Sequence, residues 1–129
     1  MLRHYPLTLL WFAFVFTVCL MPVPETPLSH VINFDKAVHL LLWLAASLII
    51  WTEYWRAPLR WKPRRRLWLT LALPAAASGL IELLQKYATT CRSGDWMDFL
   101  FNAAGVLLAA LIARRLEKRG LPKILQPKQ

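Results

Sequence analysis

Two short groups of ionisable and amide residues stand out in a chain that is otherwise largely apolar. The larger runs from Glu82 to Gly105 and holds Glu82, Gln85, Arg92, Asp95, Asp98 and Asn102; the smaller is Asp35, Lys36 and His39. On helices, residues three or four apart share a face. That rule groups Asp35 with His39, Glu82 with Gln85, and Asp98 with Asp95 and Asn102. An aspartate one turn before a histidine orients the imidazole and raises its basicity, as acid–base or metal chemistry requires. Glu82 lies within Leu80-Ile81-Glu82-Leu83-Leu84. A carboxylate there needs a partner such as Arg92 or His39, or else serves as a proton carrier. The fork of Arg92 suits a carboxylate or a phosphate. His39, Glu82 and Asp98 are therefore candidates for catalysis. Asp35, His39, Glu82, Gln85, Arg92, Asp98 and Asn102 are candidates for holding a ligand.

Each residue also has a purely structural reading. Asp35 or Asn33 can cap the helix that follows, and Asp95 and Asp98 resemble a capping pair, with Asp95 mostly scaffold. Lys36 is expected to snorkel toward lipid headgroups. Gln85 suits an interhelical hydrogen bond, Arg92 an ion pair with Asp98 or Glu82, and Gly105 close packing. The chain has no Cys-x-x-Cys, His-Glu-x-x-His or Gly-x-Ser-x-Gly motif, so it specifies no metal ligand set, no nucleophile and no cofactor. Cys19 and Cys91 have neither metal-ligand spacing nor a redox motif.

The elements that must position these residues are membrane helices. At 129 residues, 57% apolar with seven Trp, the chain is one domain and exceeds the apolar share usual for soluble proteins. Four spans are expected, over about 5–21, 36–52, 67–85 and 98–113, with a basic tail at 114–129. Small residues are missing at the exit of the first span, which argues against a cleaved signal peptide. Pro22, Pro24 and Pro27 interrupt the chain after it. Pro74 is a candidate kink in the third span. The stripe Ala103-x-Gly105-x-x-x-Ala109 is small enough for close helix packing. The Trp residues are expected mostly near span ends, as an aromatic belt.

Charge fixes the expected orientation. Arg3, the 56–66 loop and the tail hold 13 of the 16 Lys and Arg residues. With four spans these segments share one side, and loops rich in Lys and Arg stay in the cytoplasm. The expected fold is thus all-α, an up-down bundle with both termini cytoplasmic. Asp35, Lys36 and His39, Glu82 and Gln85, and Asp98 and Asn102 then come to the outer side. Polar faces in a bilayer turn toward one another or toward water, so three helices aim at one outward-opening pocket.

At these span ends, Asp35-Lys36-x-x-His39, Glu82-x-x-Gln85 and Arg92-x5-Asp98-x3-Asn102-x2-Gly105 together resemble the VanZ-like family of small bacterial membrane proteins. The resemblance covers roughly Leu7 to Ala113. It departs at Cys91, where a glycine often precedes the arginine, and at Ala109, where a second glycine is frequent. The resemblance implies a place in the bacterial cytoplasmic membrane. Through the family's namesake it implies a link to resistance against the glycopeptide teicoplanin. It implies no established reaction.

Three functions stay open to these residues. The pocket could bind a lipid-linked or cell-wall-related headgroup, with membrane lipids as partners. It could carry acid–base or metal-assisted hydrolysis or transfer on a phospholipid-like substrate. Or Glu82 could titrate in a proton-coupled carrier or a transporter's accessory subunit, a reading weakened by the lack of an inverted repeat unless the protein forms a homo-oligomer. Nucleic acid is not an expected partner, because topology and anionic inner-leaflet lipids account for the basic blocks.

Overall fold

The computed structural model describes residues 4–22, 27, 34–58, 61–90 and 95–125. Among these there is no strand; the elements are α1 (Pro6–Leu20), α2 (Phe34–Arg56), α3 (Pro63–Leu67), α4 (Leu73–Ala88), α5 (Trp96–Lys118) and α6 (Leu121–Leu125). A π-helical turn over Trp68–Ala72 joins α3 to α4, so Pro63–Ala88 is one continuous helical run.

Three runs are long and apolar enough to cross a membrane: α2 with 23 residues, Pro63–Ala88 with 26, and α5 with 23. At 1.5 Å per residue these measure about 35–39 Å, against a hydrocarbon core of about 30 Å. α1 is apolar but has only 15 residues, or about 22 Å. Of the four spans expected from sequence, three are long and apolar enough to cross a membrane, and the first is this shorter apolar helix.

The π turn has a local cause. Pro74 offers no N–H to the carbonyl four residues back, and its ring crowds that carbonyl. The backbone widens just before it, and the Leu73 N–H donates to the Trp68 carbonyl, five residues back. Pro74 is thus accommodated by a wider turn within an unbroken helix.

α2 and α5 form the central pair. Gly105 is the reason they approach so closely: a Cβ there would run into the Leu40 carbonyl oxygen and lie 3.0 Å from the Leu44 nitrogen. The buried face of α5 reads Asp98, Asn102, Gly105, Ala109, Ala113, with small residues along most of its length. Ala103 falls off this face and is half-buried. On α2 the facing side includes His39, Trp43, Ala46, Ser47 and Ile50. Trp43 is fully buried and meets Phe12 edge-on, so it belongs to the core and not to a belt. Trp68 and Trp96 are exposed near helix ends.

α1 lies across α2 and α4 and is fastened at both ends. At its start, Glu53 of α2 accepts hydrogen bonds from the Leu7 N–H (2.8 Å), the Thr8 N–H (2.9 Å) and the Thr8 hydroxyl (2.6 Å). At its end, Gln85 of α4 donates to the Cys19 carbonyl at 2.6 Å. Three of these four bonds serve backbone groups that a helix terminus leaves without partners. At the same end of the bundle as Glu53, Trp55 donates to Glu117 at 3.1 Å, and the Arg66 guanidinium lies 3.5 Å from the same oxygen. Tyr5 stacks on Trp61 there, and Arg65 lies over the Trp61 ring.

Candidate functional site

The polar cluster sits at the opposite end, where α2 and α5 begin and α4 finishes. His39 lies about one turn inside α2, Asn102 about two turns inside α5, and Glu82 about two turns before the end of α4. Helical rise puts these three side chains about 6–9 Å from the helix ends. All three residues are buried, Asn102 completely.

They form one hydrogen-bonded chain. The Asn102 amide donates from Nδ2 to Glu82 Oε1 at 3.1 Å. With its NH2 spent on a carboxylate, Asn102 presents its oxygen to His39, whose Nδ1 lies 3.1 Å from Asn102 Oδ1. An amide oxygen only accepts, so Nδ1 carries the proton of this bond. The second ring nitrogen, Nε2, faces the mouth of the site, 3.9 Å from Asp35 Oδ1. Asp35 is exposed in the first turn of α2.

Asp98 completes the mouth. It is buried, and its Oδ1 accepts no hydrogen bond among the described residues; the nearest cation is Lys36, 3.7 Å away. Lys36 was expected to snorkel to headgroups. It reaches instead across to α5, because Asp98 stands opposite it in a medium that screens charge poorly. Glu82 has a second carboxylate oxygen, Oε2, that is buried and also accepts no hydrogen bond among the described residues.

The structure thus brings together Asp35, Lys36, His39, Glu82, Asp98 and Asn102. Gln85 is turned away, to the end of α1. Asp95 caps α5 by accepting from the Met97 N–H at 3.1 Å. Arg92, with the ion pair to Asp98 or Glu82 suggested for it, lies outside the described residues, as do Asn33 and Cys91.

Two roles were not foreseen from sequence: the Lys36–Asp98 pair and the capping of α1 by Glu53. Glu53 could have been found by the test that picked out Glu82. It too stands in an apolar run, Ile49-Ile50-Trp51-Thr52-Glu53-Tyr54-Trp55.

Beside the cluster, a cleft of about 470 Å³ runs between α4 and α5. Leu80, Leu83, Trp96 and Phe99 form its apolar wall, and Glu82, Lys86 and Asp95 stand along it. Leu80, Leu83 and Trp96 are exposed, so the cleft opens on the outside of the bundle. Glu82 therefore links the inner hydrogen-bonded chain to a surface groove. Chemically, the site offers an imidazole whose Nε2 is turned to its mouth beside Asp35, a second carboxylate from Asp98, and the Lys36 ammonium within reach.

Because Gln85 fastens α1, its loss should loosen that helix without touching the His39 chain. Gln85→Leu is expected to lower stability by about 1–2 kcal/mol, the cost of leaving the Cys19 carbonyl without its donor. Thermal unfolding followed by Trp fluorescence checks this.

No curated protein and no solved structure matches the chain. The family model described as VanZ/LLP1 matches residues 4–117. That match takes in α1 to α5 almost entire, with every residue of the cluster, and the chain belongs to the VanZ/LLP1 family.

Proposed function

We propose that this chain is a multi-pass protein of the bacterial cytoplasmic membrane whose polar cluster, at the outer side, binds the headgroup of a lipid-linked or cell-wall-related molecule. The observation that carries this reading is the cleft between α4 and α5. An apolar wall that opens to the outside of the bundle, with Glu82, Lys86 and Asp95 along it, has the divided character of an amphiphile. A lipid lying in the groove would bring its polar end to Glu82 without leaving the bilayer.

In this reading α1 is a fourth crossing, and both the Arg3 end and the basic tail are cytoplasmic. Two observations support it. α1 reaches from Glu53, near the end of α2, to Gln85, near the end of α4, and so joins opposite ends of the packed helices. Arg64, Arg65, Arg66, Arg114, Arg115 and Lys118 all belong to the end away from the cluster, the distribution that holds loops in the cytoplasm. A homo-oligomer is compatible with the exposed apolar faces of the helices. Altered teicoplanin susceptibility belongs to the proposal only as a phenotype to measure in cells lacking the protein.

A second reading is favoured by one specific contact. His39 holds its Nε2 3.9 Å from Asp35, as acid–base chemistry on a phospholipid-like substrate would need. Proton-coupled transport through Glu82 has no comparable observation behind it.

Native mass spectrometry of the detergent-solubilised protein tests the lipid reading. The chain is expected to carry a copurified lipid, and Leu83→Trp, which fills the cleft, is expected to lose most of it while keeping the melting temperature. Equal lipid retention in the variant would remove the cleft from consideration. Orientation is checked by reporter fusions after Lys118, where a fluorescent protein should glow and alkaline phosphatase should stay inactive.

A further inference from the structure

One ligand atom each from Asp35, His39 and Asp98 lies within 4.8 Å of the other two. We infer that these three residues form a binding site for one divalent first-row metal ion, at the mouth of the polar cluster.

The first argument is the direction of the imidazole. Asn102 and Glu82 hold a proton on Nδ1, which leaves Nε2, turned toward Asp35, as the ring nitrogen a metal ion would take. A metal ion between that nitrogen and the carboxylate would be held by both. Metal-binding histidines are held in this way, with the far ring N–H given to an oxygen that fixes tautomer and orientation. Here Asn102 is that oxygen's owner and Glu82 fixes Asn102 in turn.

The second argument is independent of that chain. Asp98 is 6% exposed, yet its Oδ1 accepts no hydrogen bond among the described residues. Burying an ionised oxygen without donors is costly. The Lys36 ammonium at 3.7 Å offsets this only in part. A metal ion would offset it directly, at the same position.

The donor set indicates the class of ion. One imidazole and two carboxylates suit manganese, iron or zinc, and are less suited to calcium, which takes oxygen ligands alone. Bonds near 2.1 Å place ligand atoms about 3.0–3.5 Å apart. Metal binding would draw the three side chains together from within 4.8 Å, and Asp35, exposed at the start of α2, is the one most able to turn. Three protein ligands leave coordination positions for water or for an anionic oxygen. The site thus deepens the lipid reading: the described residues around the cluster are mostly acidic, and a metal ion would give a phosphate a positive contact there. The metal itself does not depend on that reading, being held by protein groups alone.

The test is titration of Mn2+ into the full-length protein in lipid nanodiscs, with free Mn2+ read by electron paramagnetic resonance. One Mn2+ per chain is expected. His39→Gln and Asp98→Asn should each weaken binding at least about tenfold, and Asn102→Leu, acting through His39, by about 10–100-fold. Lys36→Gln should bind as tightly as the parent or more so, because it removes an ammonium competing for Asp98. Asp35→Asn alters an exposed side chain and carries the test alone should a buried variant misfold. Binding that survives Asp35→Asn and His39→Gln undiminished would overturn the assignment. So would absence of stoichiometric binding in both the parent and Lys36→Gln, which would leave a proton on Nε2 as the bridging cation. Lipid retention, read separately by mass spectrometry, shows whether the cleft reading stands or falls apart from the metal.

Discussion

Replacing Gly105 by alanine is expected to cost about 3 kcal/mol of stability and to separate α2 from α5 where the polar cluster is built. The added Cβ meets the Leu40 carbonyl oxygen and the Leu44 nitrogen, both backbone atoms that no change of rotamer can move. Overpacking of this kind usually costs about 1–3 kcal/mol. The backbone contact puts this case at the upper end, because a whole helix must shift. The same displacement would draw Asn102 away from His39, one turn from the glycine. Gly79→Ala is the matched comparison. Its added methyl would meet only the Phe99 ring at 3.5 Å, an ordinary contact. Replacing a mid-helix glycine then changes stability by no more than about 1 kcal/mol, in the favourable direction. Thermal unfolding in detergent, followed by Trp fluorescence, separates the two. Equal melting temperatures would mean that the close approach of α2 and α5 is not what holds the bundle.

The second large effect is expected at Glu53. Its two oxygens accept three hydrogen bonds from Leu7 and Thr8, and the residue is 5% exposed. It does from another helix what a capping side chain does locally, and as a carboxylate it also matches the positive end of α1. Glu53→Ala leaves two backbone N–H groups and a hydroxyl without partners in an apolar setting. A loss of about 3 kcal/mol follows. Glu53→Gln keeps one acceptor oxygen but turns an NH2 toward donors, so a loss of about half that size is expected. A loss confined to α1 would appear as proteolysis near residues 4–22 under conditions where α2 and α5 stay protected. Wild-type protection in Glu53→Ala would show that α1 is held by side-chain packing alone.

How much of this could be read from the sequence follows from which forces act locally. The helices were legible because apolar runs of this length have few other stable forms. The pairing of Asp35 with His39, and of Asp98 with Asn102, was legible as shared faces, since helical spacing alone sets it. Partners across helices were not. Whether Gln85 turns toward Asn102 or toward Cys19 depends on the rotation and depth of α4 against α1, which no spacing within α4 encodes. Lys36 illustrates the same limit. Its long side chain reaches either headgroups or Asp98, and the choice depends on how near α5 stands, which Gly105 decides. The bounds of α1 follow from local chemistry: Pro6 stands at its first turn, and the chain has turned to extended backbone by Met21.

The two fastenings of α1 also set an order of assembly. Glu53 lies 45 residues beyond Thr8, and Gln85 lies 66 residues beyond Cys19. α1, made before the helices that hold it, therefore meets its last anchor only after α4 has been made. Until then both ends of α1 lack these partners. α1 is thus made early and latched late, which leaves it open to a protease in a half-made molecule.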